Sequence, residues 1–448
     1  MQARQIQPPR GAVFGKRSLR FIATALLAGI VATGCSSDDD DDDGTTGSGT
    51  DTTGGSGTDN GSNGNGTASG NVCRTPETGT MAWVATYATD YSSGRIDCID
   101  VGETAEVTGN LPATGSDIRV ETDGDAIFQL GRSNLDSLTR FAQDNPLQPV
   151  YQYSVLDASD ENDGGNPYSL TFVSDTKAYL TRYNSKNLWI INPSADTEAN
   201  FYLGSIDLSA YNDNVPHMND AVLVGDKLFV LMERLKDFTP DKQAYLAVID
   251  TNTDMEIDTG KGTADGLLGI PLGVQNPGAV HYVEALNELL VVGRGNYFAD
   301  ETVEADPYTG GLVSVDPDSY TTELIADDGT REENIGFYNS ALVLDGQTGY
   351  LSTYESYGVS NLHTFNPTTG IVDDTPIAGL DNVDITTMAE SPDGMIWLGV
   401  QNYAYTNAEG NAATGTGFIT LNPADNALGS SVIATELVPQ DIVFTTAE

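Results

Sequence analysis

A chain of 448 residues carrying 20 Lys and Arg against 65 Asp and Glu has a formal charge of −45. That balance disfavours nucleic acid as a partner, and an anionic membrane surface likewise, so no nucleic acid is expected. The length admits two or three ordinary domains or one large all-β domain.

Residues 1–34 read as a leader. Arg4, Arg10, Lys16, Arg17 and Arg20 precede the apolar run Phe21 to Gly34, which is too short for a membrane span. The run ends VATGC, with small residues directly before Cys35, and this resembles the lipobox of bacterial lipoproteins. The resemblance implies lipidation of Cys35 and attachment to the membrane through that lipid. Ser36 beside it implies sorting to the outer membrane, with the inner membrane as the alternative. Without a lipobox, the same segment is a plain secretory signal.

Residues 35–72 follow as a Gly/Ser/Thr/Asn/Asp linker without an aromatic residue. Such a composition cannot bury enough apolar area to offset chain entropy, so a disordered tether is expected. Its r.m.s. reach is roughly 35 Å. The run Asp38 to Asp43 suits a solvated spacer, with calcium binding as the sharper alternative. Cys73 and Cys98 then remain, and two cysteines in an exported chain predict one disulfide.

From Met81 onward the chain shows almost no helix signal. Strong strands recur as AWVATYA, AIFQLGR, AYLTRYN, LFVLMER, LLVVGRG, GYLSTYE and IWLGVQN, at a spacing of roughly fifty residues. The second position is large in each: Trp83, Ile127, Tyr179, Phe229, Leu290, Tyr350 and Trp397. Five of the strands that follow end in an Asx turn, at Asn192, Asp250, Asp316, Asn366 and Asn422. A further strand precedes each core strand in six units, which begin near Asp117, Pro167, Asn219, Gly278, Asn339 and Asp384. The first unit lacks that strand, and PQDIVFTT near the C-terminus has its pattern. The prediction is therefore an all-β, seven-bladed propeller over residues 73–448, closed by a C-terminal strand that completes the first blade.

Residues Met81 to Phe444 resemble the seven-bladed β-propeller superfamily, especially bacterial surface propellers with YVTN-like repeats. Local echoes are SPDGMIWLG and VSDTKAYLTRYNSKNLWIINP. The resemblance implies fold, and a propeller fold hosts enzymes, ligand binders and scaffolds alike.

Two sets of loops share one face of such a propeller. Those joining second and third strands are long in blades 4, 5 and 7, which marks this face as functional. Candidate ligand-binding residues there are Arg182, Tyr183, Arg234, Arg294, Tyr297, Tyr354 and Tyr403, with Tyr87, Tyr91, Phe238, Tyr357 and Tyr405 nearby in sequence. In so acidic a chain, these arginines could grip a carboxylate or sulfate, or simply pair with local aspartates. At the channel mouth His217, Asp220 and His281, with Asn276 and Asp441, are candidate ligands for Ca²⁺ or a transition metal. Lactonase-like propeller hydrolases bind a cation there. No HExxH, Walker loop, nucleophile elbow or CxxCH stands in the chain, and no motif requires a cofactor. The expectation is an envelope lipoprotein acting as a non-catalytic binding or scaffold module, accessory to an envelope protein such as a transporter. A metal-dependent hydrolase or lyase, and a small-ligand-capture protein, are the alternatives.

Overall fold

The computed structural model describes Cys73 and residues 79–102, 105–158, 160, 164–299, 304–406, 410 and 412–446. The expected leader 1–34, the expected lipidation site Cys35 and the expected linker 35–72 lie outside them. The described residues form seven antiparallel blades around a central channel. From the channel outward, blade 1 comprises Val438–Thr446, Thr80–Tyr87, Gly94–Asp100 and Glu106–Asn110. Its innermost strand comes from the far end of the chain, as the sequence predicts. Blades 2 to 7 start with inner strands Ile118–Thr122, Pro167–Ser174, Met218–Val224, Pro277–Val283, Phe337–Val343 and Asp384–Glu390, and run outward in chain order. Blade 6 has three strands, its outer edge meeting later residues through isolated bridges at Val372 and Val383 and through backbone hydrogen bonds of Leu362 with Ile377 and Leu380. Among the described residues no helix is long and apolar enough to cross a membrane.

Local chemistry explains the turns. Asn192, Asp250, Asp316, Asn366 and Asn422 each accept a hydrogen bond on the side-chain oxygen from a backbone N–H two or three residues on, at 2.8 to 3.2 Å. Each is an Asx turn that replaces the missing ladder bond.

Period-2 alternation in the second strands builds the core. Each such strand lies between two neighbouring blades, so both of its faces are apolar. Among the described residues the buried side chains divide into seven clusters, one per blade joint. Trp83, Tyr179, Phe229, Leu290, Tyr350 and Trp397 fill the joints toward the following blade. Ile127 does not. It points back into the joint with blade 1, and Phe128 takes the forward place. The expected alignment is therefore one residue off in blade 2, and an inner-strand difference accompanies it. Inner strands of blades 3 to 7 carry an extra bulged residue, namely Tyr168, Asn219, Gly278, Asn339 or Thr386. The strand Ile118–Thr122 has none.

Cys73 and Cys98 are joined across 25 residues, which fastens the chain just before blade 1 to its third strand. By chain entropy this crosslink contributes about 3 kcal/mol. Reduction, or Cys98→Ser, is expected to lower the urea midpoint accordingly. An unchanged midpoint would show that the bridge adds nothing to stability.

Candidate functional site: the mouth of the channel

Four residues beyond the large forward-facing residue of each second strand, the chain reaches the mouth of the channel. That position holds Tyr87, Arg132, Tyr183, Glu233, Arg294, Tyr354 and Gln401 in blades 1 to 7. In blades 2 to 5 its backbone N–H donates to the carbonyl of the residue before the inner strand: Asp117, Asn166, His217 or Asn276, at 2.9 to 3.1 Å. Asn166, His217 and Asn276 have φ of 50°, 57° and 50°. The left-handed turn suits asparagine and costs more for histidine.

Glu233 is the centre of this arc. Its carboxylate is buried and accepts from Tyr183 Oη, from Asn219 Nδ2 at 2.9 Å and from Arg294 Nη2 at 2.6 Å. Burial pushes its carboxyl up, while Arg294 beside it pulls the other way. Arg294 Nη2 also donates to Asn276 Oδ1 at 3.2 Å. Its path is open because the bulged residue of blade 5 is Gly278. A Cβ there would lie 3.2 Å from Arg294 Cδ. Aromatic rings extend the arc both ways. Arg132 lies 3.8 Å over Tyr168, which stacks on Tyr183 at 4.8 Å. Tyr297 meets the edge of Tyr354 at 5.3 Å, with Arg294 5.7 Å from its ring.

Several atoms of this arc have no protein partner. Asn166 Oδ1, His217 Nδ1, Asn219 Oδ1 and Arg132 Nε are buried and make no hydrogen bond. For Asn219 the amide orientation is dictated by its surroundings, since Nδ2 faces Glu233 Oε1 and the carbonyls of Pro277 and Gly278. The His217 imidazole sits against Tyr183 at 4.9 Å, and burial lowers its pKa to about 4, so it is neutral at neutral pH.

Inside the channel the inner strands are tied blade to blade from blade 1 to blade 6, five links of a ring. Asp441 accepts from Val120 N (3.1 Å), Thr171 Oγ1 donates to Ala221 O (3.1 Å) and Asp220 accepts from Val280 N (3.0 Å). Leu170 N donates to Glu121, and the His281 imidazole bonds to the Ala341 backbone. The five backbone residues occupy one layer, each reached from the preceding blade. Arg119 Nη1 adds a bond to Tyr168 O at 3.2 Å.

The expected site residues therefore separate. Tyr183, Arg294, Tyr297 and Tyr354 meet at the mouth. Arg182 is fully buried in the joint between blades 2 and 3, where it pairs with Asp160, donates to Val155 O and Ser185 Oγ and covers Trp189. Arg234 donates to Tyr211 O and Gln243 O and packs on Tyr245. Tyr403 is buried in blade 7, its hydroxyl on Gly379 O. The guanidinium pair at Arg182 and Arg234 is thus spent inside the fold. Of the metal candidates, Asp220 gives both oxygens to backbone N–H groups, of Ala221 and Val280. His281 belongs to the inner ring. Nδ1 of His217 and Nε2 of His281 are each left without a hydrogen bond. Among the described residues no three His, Cys, Asp or Glu side chains gather as a metal-binding group. His363 is buried in blade 6, bonded to Thr353 and Asp373. Glu233, Asn219 and Arg132 were not singled out from sequence, although the four-residue spacing marks two of them.

The ring carries a pH dependence. Burial first, and then the charge of Asp441, raise the Glu121 pKa from 4.5 to about 8, and burial raises Asp441 too. The folded state thus retains protons that the unfolded chain has released, so this contribution falls as pH climbs from about 4.5 to 8. His217 has the opposite sign: its lowered pKa costs stability as pH drops from 6.5 toward 4. Urea midpoints are expected to decline from pH 6 to pH 8.5, and Glu121→Gln to flatten that decline. A slope that Glu121→Gln leaves intact would remove Glu121 as its source.

No family model matches the chain, and no curated protein matches it. Solved structures do. A putative 6-phosphogluconolactonase from Bacteroides uniformis is 12% identical with a TM-score of 0.54, covering 83% of this chain and 100% of that one. A protein from Lactobacillus plantarum is 12% identical with a TM-score of 0.53, covering 82% and 99%. The extracellular domain of a putative one component system from B. thetaiotaomicron is 14% identical with a TM-score of 0.39; the match covers 78% of this chain and about a third (33%) of that longer chain. At such identities the likeness shows the propeller fold alone.

Proposed function

We propose that this chain is an exported, lipid-anchored binding module that captures a small polar ligand at the mouth of its channel. One observation carries the reading. Asn166 Oδ1, His217 Nδ1 and Asn219 Oδ1, in two adjacent blades around Glu233, are buried hydrogen-bonding atoms that the fold leaves unused. Such atoms are costly unless something completes them. The Glu233–Arg294 pair beside them is self-neutralising, which suits holding a ligand more than transforming it. The Cys73–Cys98 bridge accords with an oxidising compartment, and the leader with lipidation at Cys35 and an outer-membrane address. A companion envelope protein would dock on the loops of blades 4, 5 and 7.

The test uses the full chain produced with its leader. Radiolabelled palmitate should enter the wild type and not Cys35→Ala, which should leave the membrane fraction. A thermal-shift panel of sugars, amino acids and dicarboxylates should yield a stabilising compound whose effect is lost in Asn219→Ala. If no compound shifts the transition, capture at the Glu233 arc is wrong. Co-purification from the envelope then decides whether the module serves a protein partner alone.

A second reading, a metal-dependent hydrolase or lyase, is favoured only by the unbonded ring nitrogens, Nδ1 of His217 and Nε2 of His281. It requires Asp220 to leave its backbone partners. Metal analysis of the purified protein, before and after chelation, separates the two.

A further inference from the structure

On the far side of the mouth, the loops of blades 1 and 6 meet over blade 7, which lies between them. Tyr91 Oη of blade 1 is 3.1 Å from Tyr357 Oη of blade 6. Tyr87 stacks on Tyr91 at 5.3 Å with planes 5° apart. The contact joins residues 266 apart in sequence, so it is made by ring closure and not by the local chain. Tyr91 is held at φ 58°, a left-handed conformation that costs an aromatic residue about 1–2 kcal/mol. A turn in which Tyr91 N donates to Ala88 O and Ala88 N to Ser93 O imposes it. Tyr357 is presented by a two-residue hairpin, and Gly358 at φ 71° makes that turn possible.

Beneath these phenols lies Asp384, the first residue of the blade 7 inner strand. A Cβ on Gly358 would stand 3.6 Å from its Oδ2, which places the carboxylate directly under the blade 6 hairpin. Asp384 is partly buried, and among the described residues its carboxylate has no salt bridge and no hydrogen bond. Its charge acts on Tyr87 and Tyr91, and burial alone moves its own pKa upward. Tyr87 is pushed up to about 12, first by burial and then by Asp384, so the phenol stays neutral. A half-buried, uncompensated carboxylate beside three phenols lacks one thing, a cation.

We propose that Asp384, Tyr87, Tyr91 and Tyr357 form a seat for the ammonium group of a small organic cation. The carboxylate supplies the opposite charge, and the phenols supply ring faces and oxygen acceptors that attract a cation while shedding little water. The chain's charge of −45 favours the approach of cations over that of carboxylates and sulfates. This names a ligand class for the mouth and so rests on reading the mouth as a binding site. The seat itself lies on blades 1, 6 and 7, away from Glu233 and its hydrogen-bond partners on blades 3, 4 and 5.

The experiment is calorimetric titration of the full chain with n-butylammonium and with tetramethylammonium chloride, against sodium chloride at matched ionic strength. An ammonium Kd on the order of 1 mM is expected. Asp384→Asn and Tyr357→Ala should each weaken it roughly tenfold or more. Tyr357 is exposed, so its truncation leaves the fold intact; circular dichroism and the thermal midpoint check both variants. Wild-type protein that binds neither ammonium above the sodium control, or binding that survives Asp384→Asn, overturns the proposal. A panel compound lost in Asn219→Ala, together with no ammonium binding, would sink this seat while leaving the Glu233 arc standing. Ammonium binding without any panel compound would do the reverse.

Discussion

A chain terminated after Leu437 is expected to show no cooperative unfolding transition. The missing strand Val438–Thr446 pairs with Thr80–Tyr87 along its whole length, from Thr80↔Thr446 to Tyr87↔Val438. It carries Thr445 Oγ1, which accepts from the buried Trp83 indole at 2.9 Å. Ile442 packs with Trp397 and Phe418 in the joint between blades 7 and 1. Asp441 and Gln440 reach blade 2, through Val120 N and Ser116 O. Removal therefore opens two joints and exposes the edge of Thr80–Tyr87. Counting buried side chains and ladder bonds, the loss is roughly 10 kcal/mol, comparable with the whole stability of a typical domain, about 5–15 kcal/mol. Circular dichroism and dye binding during thermal melts of the truncated and full chains provide the check. A truncated protein melting cooperatively within about 10 °C of the full chain would mean that the other joints hold the ring without the clasp.

Glu233→Ala should be the most damaging single substitution at the mouth. It strips the carboxylate from Arg294, Tyr183 and Asn219 together, and leaves a guanidinium beside buried groups with no counter-charge. Breaking a buried pair from one side costs about 3–5 kcal/mol. Arg294 is partly exposed, with 23% of its side chain accessible, so the lower end of that range applies. The double change Glu233→Leu with Arg294→Met should recover most of the loss, because no charge is then stranded. Urea titration of Glu233→Leu, Arg294→Met and the double variant closes the cycle. If the double variant is as unstable as Glu233→Ala, the damage comes from packing and the charge argument fails. Ligand capture should be absent in both, whatever the stability.

Much of the architecture was legible in the chain. Alternation revealed the second strands, Asx residues followed by Pro or Thr revealed the hairpins, and an orphan strand signal at the end revealed the closure. Where the reading slipped, the cause was parity. Blade 2 has no bulged residue in its inner strand, and the large residue that faces forward is Phe128 rather than Ile127. A shift of one residue turns a side chain to the other face of the sheet.

The same parity separates the arginines. Arg182 stands three residues after Tyr179, Arg234 five after Phe229 and Arg294 four after Leu290. Only the third opens on the mouth. The others turn into joints, where Asp160 and backbone carbonyls hold them. In the sequence all three look alike, as a cation at the end of an apolar strand. Glu233 escaped notice because a single glutamate in MERLKD reads as a solvated charge. Its partners, Tyr183 and Arg294, lie about fifty and sixty residues away in the neighbouring blades.

By itself, the sequence determined the blade number, the turns and the closing strand, since each rests on short-range chemistry: strand period, Asx capping and a repeat that needs one more strand. Tertiary structure alone decided which polar side chains share the mouth, which arginines are spent inside and how Asp384 comes to lie under tyrosines from two other blades. Those outcomes depend on bulges, on left-handed residues before the inner strands, and on ring closure, which brings together side chains far apart along the chain.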